Sequence, residues 1–263
     1  MFAEVIQSNG RKFSLHITIK CSGKKKLRLW AEERGKENSR YADRNIVIDG
    51  ERTIYFSFPI SPDELFIGAL NSDNPKDNEF QVILEEKPPV QYEVWIDAKT
   101  RRFLKLASDF SMVCGYSPAS DSGRVFRSQD GEFLIKYFNV IRDYKTGKLL
   151  NTPARIGHTT GNIEVAKAKF DKYTIPMRMM ILLHEYSHVF KNPKIGLKKD
   201  NEVGADINAL YIYLGLGFSK IDAICVYANV FLKAQTKSNV MRMRKIMDYI
   251  NRFENQEFVR RLT

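Results

Sequence analysis

Short runs rich in β-branched and aromatic residues alternate with polar turn signals along the first ninety residues. "SLHITIK", "RNIVID", "RTIYFSF", "ELFIGAL" and "FQVILEE" read as strands. Asn9-Gly10, Asp49-Gly50 and the loop "NSDNPKDN" read as the turns between them. Many short strands at this spacing predict a β-sandwich or jelly-roll. Pro88-Pro89 then interrupts the pattern, because neither proline can donate to a β-ladder. The predicted division is therefore 1–89, a β-sandwich binding or interaction domain, and 90–263, a second domain.

Beyond the prolines the pattern changes. "AKTRRFLKLASDFSMVCG" predicts a helix and "EFLIKYFNVIRD" a β stretch. "YKTGK" is a turn, and "ARIGHTTGNIEVAK" predicts a hairpin through Thr159 to Gly161. After Thr174 the chain reads as helical to its end. Pro176 suits a first helical turn. Met179, Met180, Leu182, Leu183, Tyr186, Val189 and Phe190 form a broad apolar face, and Asn192-Pro193 closes that helix. A second helix spans "NEVGADINALYIYLGLG" and stops at its glycines. Ser219 and Asp222 form a capping box for a third, and a fourth follows Ser238. Met177, Met179, Met180, Met241, Met243 and Met247 are expected in core packing. The predicted class is α+β, a β domain followed by a small mixed sheet with C-terminal helices.

Composition narrows this picture only a little. The 263 residues carry apolar and charged fractions typical of a globular chain. The opening "MFAEVIQSNGRKF" lacks a signal-peptide pattern, and no run approaches the length of a membrane span. The three cysteines, Cys21, Cys114 and Cys225, are far apart and suit reduced residues in a non-secreted protein. A formal charge of +11 invites nonspecific anionic partners. Neither "GKKKLR" nor "MRMRKIMDYINRFENQEFVRRL" shows the basic–aromatic interleaving of a nucleic-acid module, and both are expected to be solvated faces.

The chemistry concentrates in "MMILLHEYSHVF". Two of only four histidines, His184 and His188, stand four residues apart and so share one helical face. Two imidazoles in that arrangement can hold one metal ion. Glu185 lies about 100° round the helix and is free to accept a proton from a water. A third ligand must come from elsewhere: His16, His158 or, the stronger candidate, Glu202. Asp206, one turn beyond Glu202, could accept the free ring N–H of a ligating histidine. The plainer readings are two hydrogen-bonded core histidines, and a carboxylate pair exposed at a helix start.

HExxH followed by a helix bearing E-x-x-x-D resembles the gluzincin, or thermolysin-like, group of zinc metallopeptidases, and "NEVGAD" matches its Asn-Glu-x-x-x-Asp pattern. The E-x-x-A-D form is also similar to membrane-embedded zinc proteases of the CAAX-processing and heat-shock type. The match covers about thirty residues, from Met179 to Leu210. The resemblance implies Zn2+ held by His184, His188 and Glu202, Glu185 as general base, and Asp206 as the partner of His184. It also implies a peptide or protein substrate, lying extended on an edge strand for which "GNIEVAK" is the candidate. Thirteen residues separate His188 from Glu202, a short loop for which the small ImmA/IrrE-like zincins offer a parallel. Lys191 and Lys194 occupy the positions where metzincins carry glycine and a third histidine. No histidine follows His188, so the oxyanion donor must be sought in Tyr211, Tyr213, His158 or Arg155. In overall organisation the chain also resembles virion-associated zincin-like proteins of tailed bacteriophages. That likeness implies other chains of a larger assembly as partners. The expected location is cytoplasmic or virion-associated.

Overall fold

A computed structural model describes residues 1–77, 79–193, 202–234, 236–255 and 259–262. Asn78, Lys194 and Asn201, which enter the loop and motif readings above, lie outside these. The chain is α+β and divides into two compact units, Met1–Val90 and Gln91–Thr263.

The N-terminal unit is built from β1 (Phe2–Gln7), β2 (Phe13–Glu33), β3 (Arg40–Phe58), β4 (Glu64–Asn71) and β5 (Phe80–Lys87). All neighbouring pairs are antiparallel, in the order β1-β4-β2-β3, with β5 added to β2. Two of the expected short strands belong to a single long one. "RNIVID" and "RTIYFSF" both lie within β3, and "GKKKLR" lies within β2.

The Asp49-Gly50 signal marks a bulge rather than a hairpin. Gly50 takes a φ of +78°, opposite the break in β2–β3 register between Cys21 and Lys25. Positive φ is what glycine supplies most readily, in a bulge as in a turn. Tyr41 and Phe58 show the consequence. They stand seventeen residues apart in β3, about 56 Å if the strand ran straight. Their rings are 6.4 Å apart. The sheet therefore folds over on itself, enclosing Leu15, Ile17, Leu29, Ile67 and their neighbours.

The C-terminal unit opens with β6 (Gln91–Val94) and α1 (Ala98–Val113), which Asp97 caps by accepting from the Thr100 N–H. β7 (Arg124–Arg127), β8 (Leu134–Phe138), β9 (Ala154–Ile156) and β10 (Ile163–Ala166) form one sheet in the order β7-β8-β10-β9. Only β8–β10 is parallel. The short α2 (Lys167–Phe170) leads into α3 (Ile175–Val189), α4 (Glu202–Gly215) and α5 (Lys220–Val226). A π-helical turn, Tyr227–Phe231, continues α5, and α6 (Lys237–Asn251) follows.

The chain does not stay helical to its end, since β11 (Val259–Leu262) pairs with β6. α3 has no single apolar face: Ile175, Met179 to Leu183 and Tyr186 are all buried, so it runs through the core. Its Tyr186 ring stacks on Phe103 of α1. Met241 is exposed on α6 and is not a core residue. Gly215 ends α4 beside β6, where a Cβ would fall 2.6 Å from Val94 Cγ2. Among the described residues, no helix is long and apolar enough to cross a membrane.

Candidate metal centre

Ile175 and Pro176 begin α3 with a residue that needs no intrahelical donor, and the helix then runs unbroken past both histidines. Their Nε2 atoms are 3.2 Å apart. The first residue of α4, Glu202, sets Oε2 3.6 Å from His184 Nε2 and Oε1 3.8 Å from His188 Nε2. A tetrahedral ion with bonds of about 2.0–2.1 Å requires ligand–ligand edges of about 3.3 Å. Two imidazole nitrogens and a carboxylate that turns a different oxygen to each, with one donor atom from each residue all within 4.8 Å of one another, are a donor set that fits a divalent cation. Among the described residues, these three form a cluster with metal-ligand spacing.

The two helices are pinned beside the site. Buried Asn208 on α4 donates to Ser187 Oγ at 2.7 Å and to the Phe190 carbonyl at 3.1 Å, and accepts from the Asn192 N–H. Sequence reasoning missed Asn208, although a polar residue at the centre of an apolar helix needs partners.

Asp206 is fully buried, and its Oδ1 lies 3.0 Å from His184 Nδ1. A proton on Nδ1, on the side of this carboxylate, would leave His184 Nε2 free to ligate. Tyr227, on the π-helical turn, donates to the Asp206 carbonyl, and Phe231 lays its ring 4.2 Å from that of His184.

The unexpected residue is Arg242 of α6. It grips both carboxylate oxygens of Asp206 through Nε and Nη2 and reaches Glu202 Oε2 at 2.9 Å. Burial works against its charge, but these carboxylates more than offset that and raise its pKa above the usual value. Arg242 lies in a stretch whose composition reads as a solvated basic face. Helical spacing was the available signal: Arg242, Ile246 and Ile250 are four apart, and both isoleucines are buried.

Glu185 is half-buried beside β9. Burial raises its pKa, and a hydrogen bond from the Ile156 backbone N–H partly counters this. The strand beside the base is thus not "GNIEVAK". β10 is paired on both sides, by β8 and β9, and β9 is the edge. Gly157 N–H donates to the Asn162 carbonyl on the β10 side. Alternation in an antiparallel ladder then turns the Ala154 and Ile156 backbone groups toward the open side.

Of the remaining candidates, His158 is exposed in the β9–β10 loop, its ring 6.1 Å from that of His188. Tyr211 and Tyr213 do not serve the site. Tyr211 lies nine residues beyond Glu202, on the opposite side of α4, where its hydroxyl accepts from the Trp95 N–H. Tyr213 is about 16 Å along the helix from Glu202, buried and stacked on Phe218. Arg155 is committed to Glu164. His16 belongs to the N-terminal sheet, with its ring against Tyr55.

Comparison of the chain with protein-family models, with curated proteins and with solved structures finds no match.

Proposed function

We propose that this protein is a zinc-dependent metallopeptidase, with His184, His188 and Glu202 as ligands. The observation that carries the reading is the trio of donor spacings, 3.2, 3.6 and 3.8 Å. When bound, zinc would supply Lewis-acid chemistry, polarising a carbonyl and lowering the pKa of water toward about 7. The protein's own residues do the rest. Asp206 faces His184 Nδ1, and Arg242 binds both Asp206 carboxylate oxygens. The Glu185 carboxylate takes a proton from the attacking water as its oxygen bonds to the peptide carbonyl carbon. It returns that proton to the amide nitrogen as the C–N bond breaks. The Ile156 N–H keeps the carboxylate oriented, and the open edge of β9 offers backbone groups for an extended peptide.

On this reading, the C-terminal unit is a zincin-like domain, and the folded-over N-terminal sheet is a sandwich-like interaction module. Glu185→Gln should keep its zinc and lose peptide cleavage by a factor of at least about 100, measured by metal analysis and digestion of a peptide library. Cleavage at the wild-type rate would refute the role of Glu185.

A second reading is a structural or assembly protein, such as a phage virion neck, ring or tail component, that keeps zinc on the same scaffold with reduced activity. The positions of Tyr211 and Tyr213 favour it, since both are withdrawn from the site and leave His158 as the nearby oxyanion donor. A zinc-loaded protein that assembles into particles and cleaves no member of the library would support this second reading. Both readings fit a non-secreted protein, cytoplasmic or virion-associated.

A further inference from the structure

The sheet's outer face carries charges that the proposed mechanism does not use. Glu164 on β10 is the register partner of Lys136 on β8 and of Arg155 on β9. Directly paired residues point to the same face of a sheet. Lys136, Glu164 and Arg155 therefore form a row across three strands, positive, negative and positive.

The middle charge is fully engaged. Glu164 is 7% exposed, receives Arg155 Nε at 2.8 Å and Nη2 at 2.7 Å, and accepts from the Tyr144 hydroxyl. Lys136 makes no ion pair among the described residues, so the row carries one positive charge in excess. This face opens into a cavity of about 440 Å3, lined by Lys136, Arg155 and Glu164 and by His158, Thr159 and Thr160 of the β9–β10 loop. The cavity borders the metal centre through β9, whose Ile156 N–H meets Glu185, and through His158, which faces His188.

We propose that this cavity is a subsite for an acidic side chain, Asp or Glu, of a peptide laid along β9. The proposal rests on the peptidase reading for the position of that peptide. A strand added to β9 places one side chain opposite Arg155, extending the row by one position. The complement to a row ending positive, negative, positive is a carboxylate. A lysine or arginine there would meet the excess positive charge of Lys136 and Arg155 and find Glu164 already satisfied. The hydroxyls of Thr159 and Thr160 add neutral donors for a carboxylate.

The test is calorimetric binding to full-length Glu185→Gln protein, with and without zinc. The probes are alanine-based hexapeptides carrying Asp or Lys at each position in turn. At one position Asp should bind at least about 10-fold more tightly than Lys, with the difference shrinking at high salt. Adding Lys136→Gln should reduce that ratio to below about 3-fold, and Lys136→Glu should reverse it. The neutral variant keeps the test valid if the charge reversal beside Glu164 unfolds the sheet. Equal affinity for Asp and Lys at every position, or a preference unchanged in Lys136→Gln, would overturn the subsite. Failure of the wild type to hold zinc or cleave peptides would instead count against the peptidase reading, and the titration without zinc still decides the subsite.

Discussion

The two units place their charges differently. In the N-terminal unit, the buried polar side chains among the described residues are Ser8, Ser14, Ser39, Ser61 and Asn71, none of which titrates. Its ion pairs, such as Arg28–Asp43 and Arg11–Glu86, keep contact with solvent. The C-terminal unit buries Glu164, Arg178, His184, Asp206 and Asp222. Burying charge is costly unless it is paired and hydrogen-bonded. Among the described residues, only the C-terminal unit accepts this cost, in the frame of α1, α2 and α3 at Arg178 and beside Glu202 at His184 and Asp206.

The contrast can be broken most forcefully at Arg178. This side chain is wholly buried and donates to the carbonyls of Ser111, Phe170 and Asp171, tying the ends of α1 and α2 to α3. Arg178→Met would leave two buried acceptors and a part-buried one short of donors and should destabilise the C-terminal unit by about 3–5 kcal/mol in urea unfolding. Arg28→Gln in the N-terminal sheet should cost less than about 1 kcal/mol. Similar losses for the two variants would erase the distinction between the units.

A smaller effect is expected at Asp206. Asp206→Asn keeps the shape but removes the charge facing His184 and Arg242, and should weaken zinc binding by about 10–100-fold, read by chelator competition. Unchanged affinity would reduce Asp206 to a packing residue.

The smallest effect lies in the N-terminal unit. Lys25, the Glu79 N–H and Asn71 hold the Asp77 carboxyl at a pKa of about 2. A depressed carboxylate contributes stability that is full above its ordinary range near pH 4 and is lost as pH falls through about 2. Melting temperature should therefore decline across that window, and Asp77→Asn should flatten the decline. An identical acid profile in the variant would show that the Lys25 contact is energetically idle.

The pattern of the sequence reached some of this and missed the rest for identifiable reasons. Local chemistry was legible: the hairpin carrying His158, the helix bearing HExxH and the acidic start of α4 all depend on near neighbours. Strand continuity was not. Asp49-Gly50 signals positive φ, and a bulge needs that as much as a turn does. The edge position of β9 was hidden because strand order depends on contacts between segments, and "GNIEVAK" looks alike in the middle of a sheet or at its margin. Arg242 was hidden because it lies thirty-six residues from Asp206, in a segment whose composition suggests only solvent. The tyrosines were misjudged for a simpler reason, since nine and eleven residues along a helix are the wrong side and the wrong distance from its first turn.

The most direct test of the central claim is metal analysis of the purified chain after zinc loading and dialysis, joined to X-ray absorption at the zinc edge. The account predicts one zinc per chain, in a shell of nitrogen and oxygen donors at about 2.0–2.2 Å, lost in His188→Ala and in Glu202→Ala. Retention of no zinc, or a zinc whose shell is indifferent to both substitutions, would contradict it.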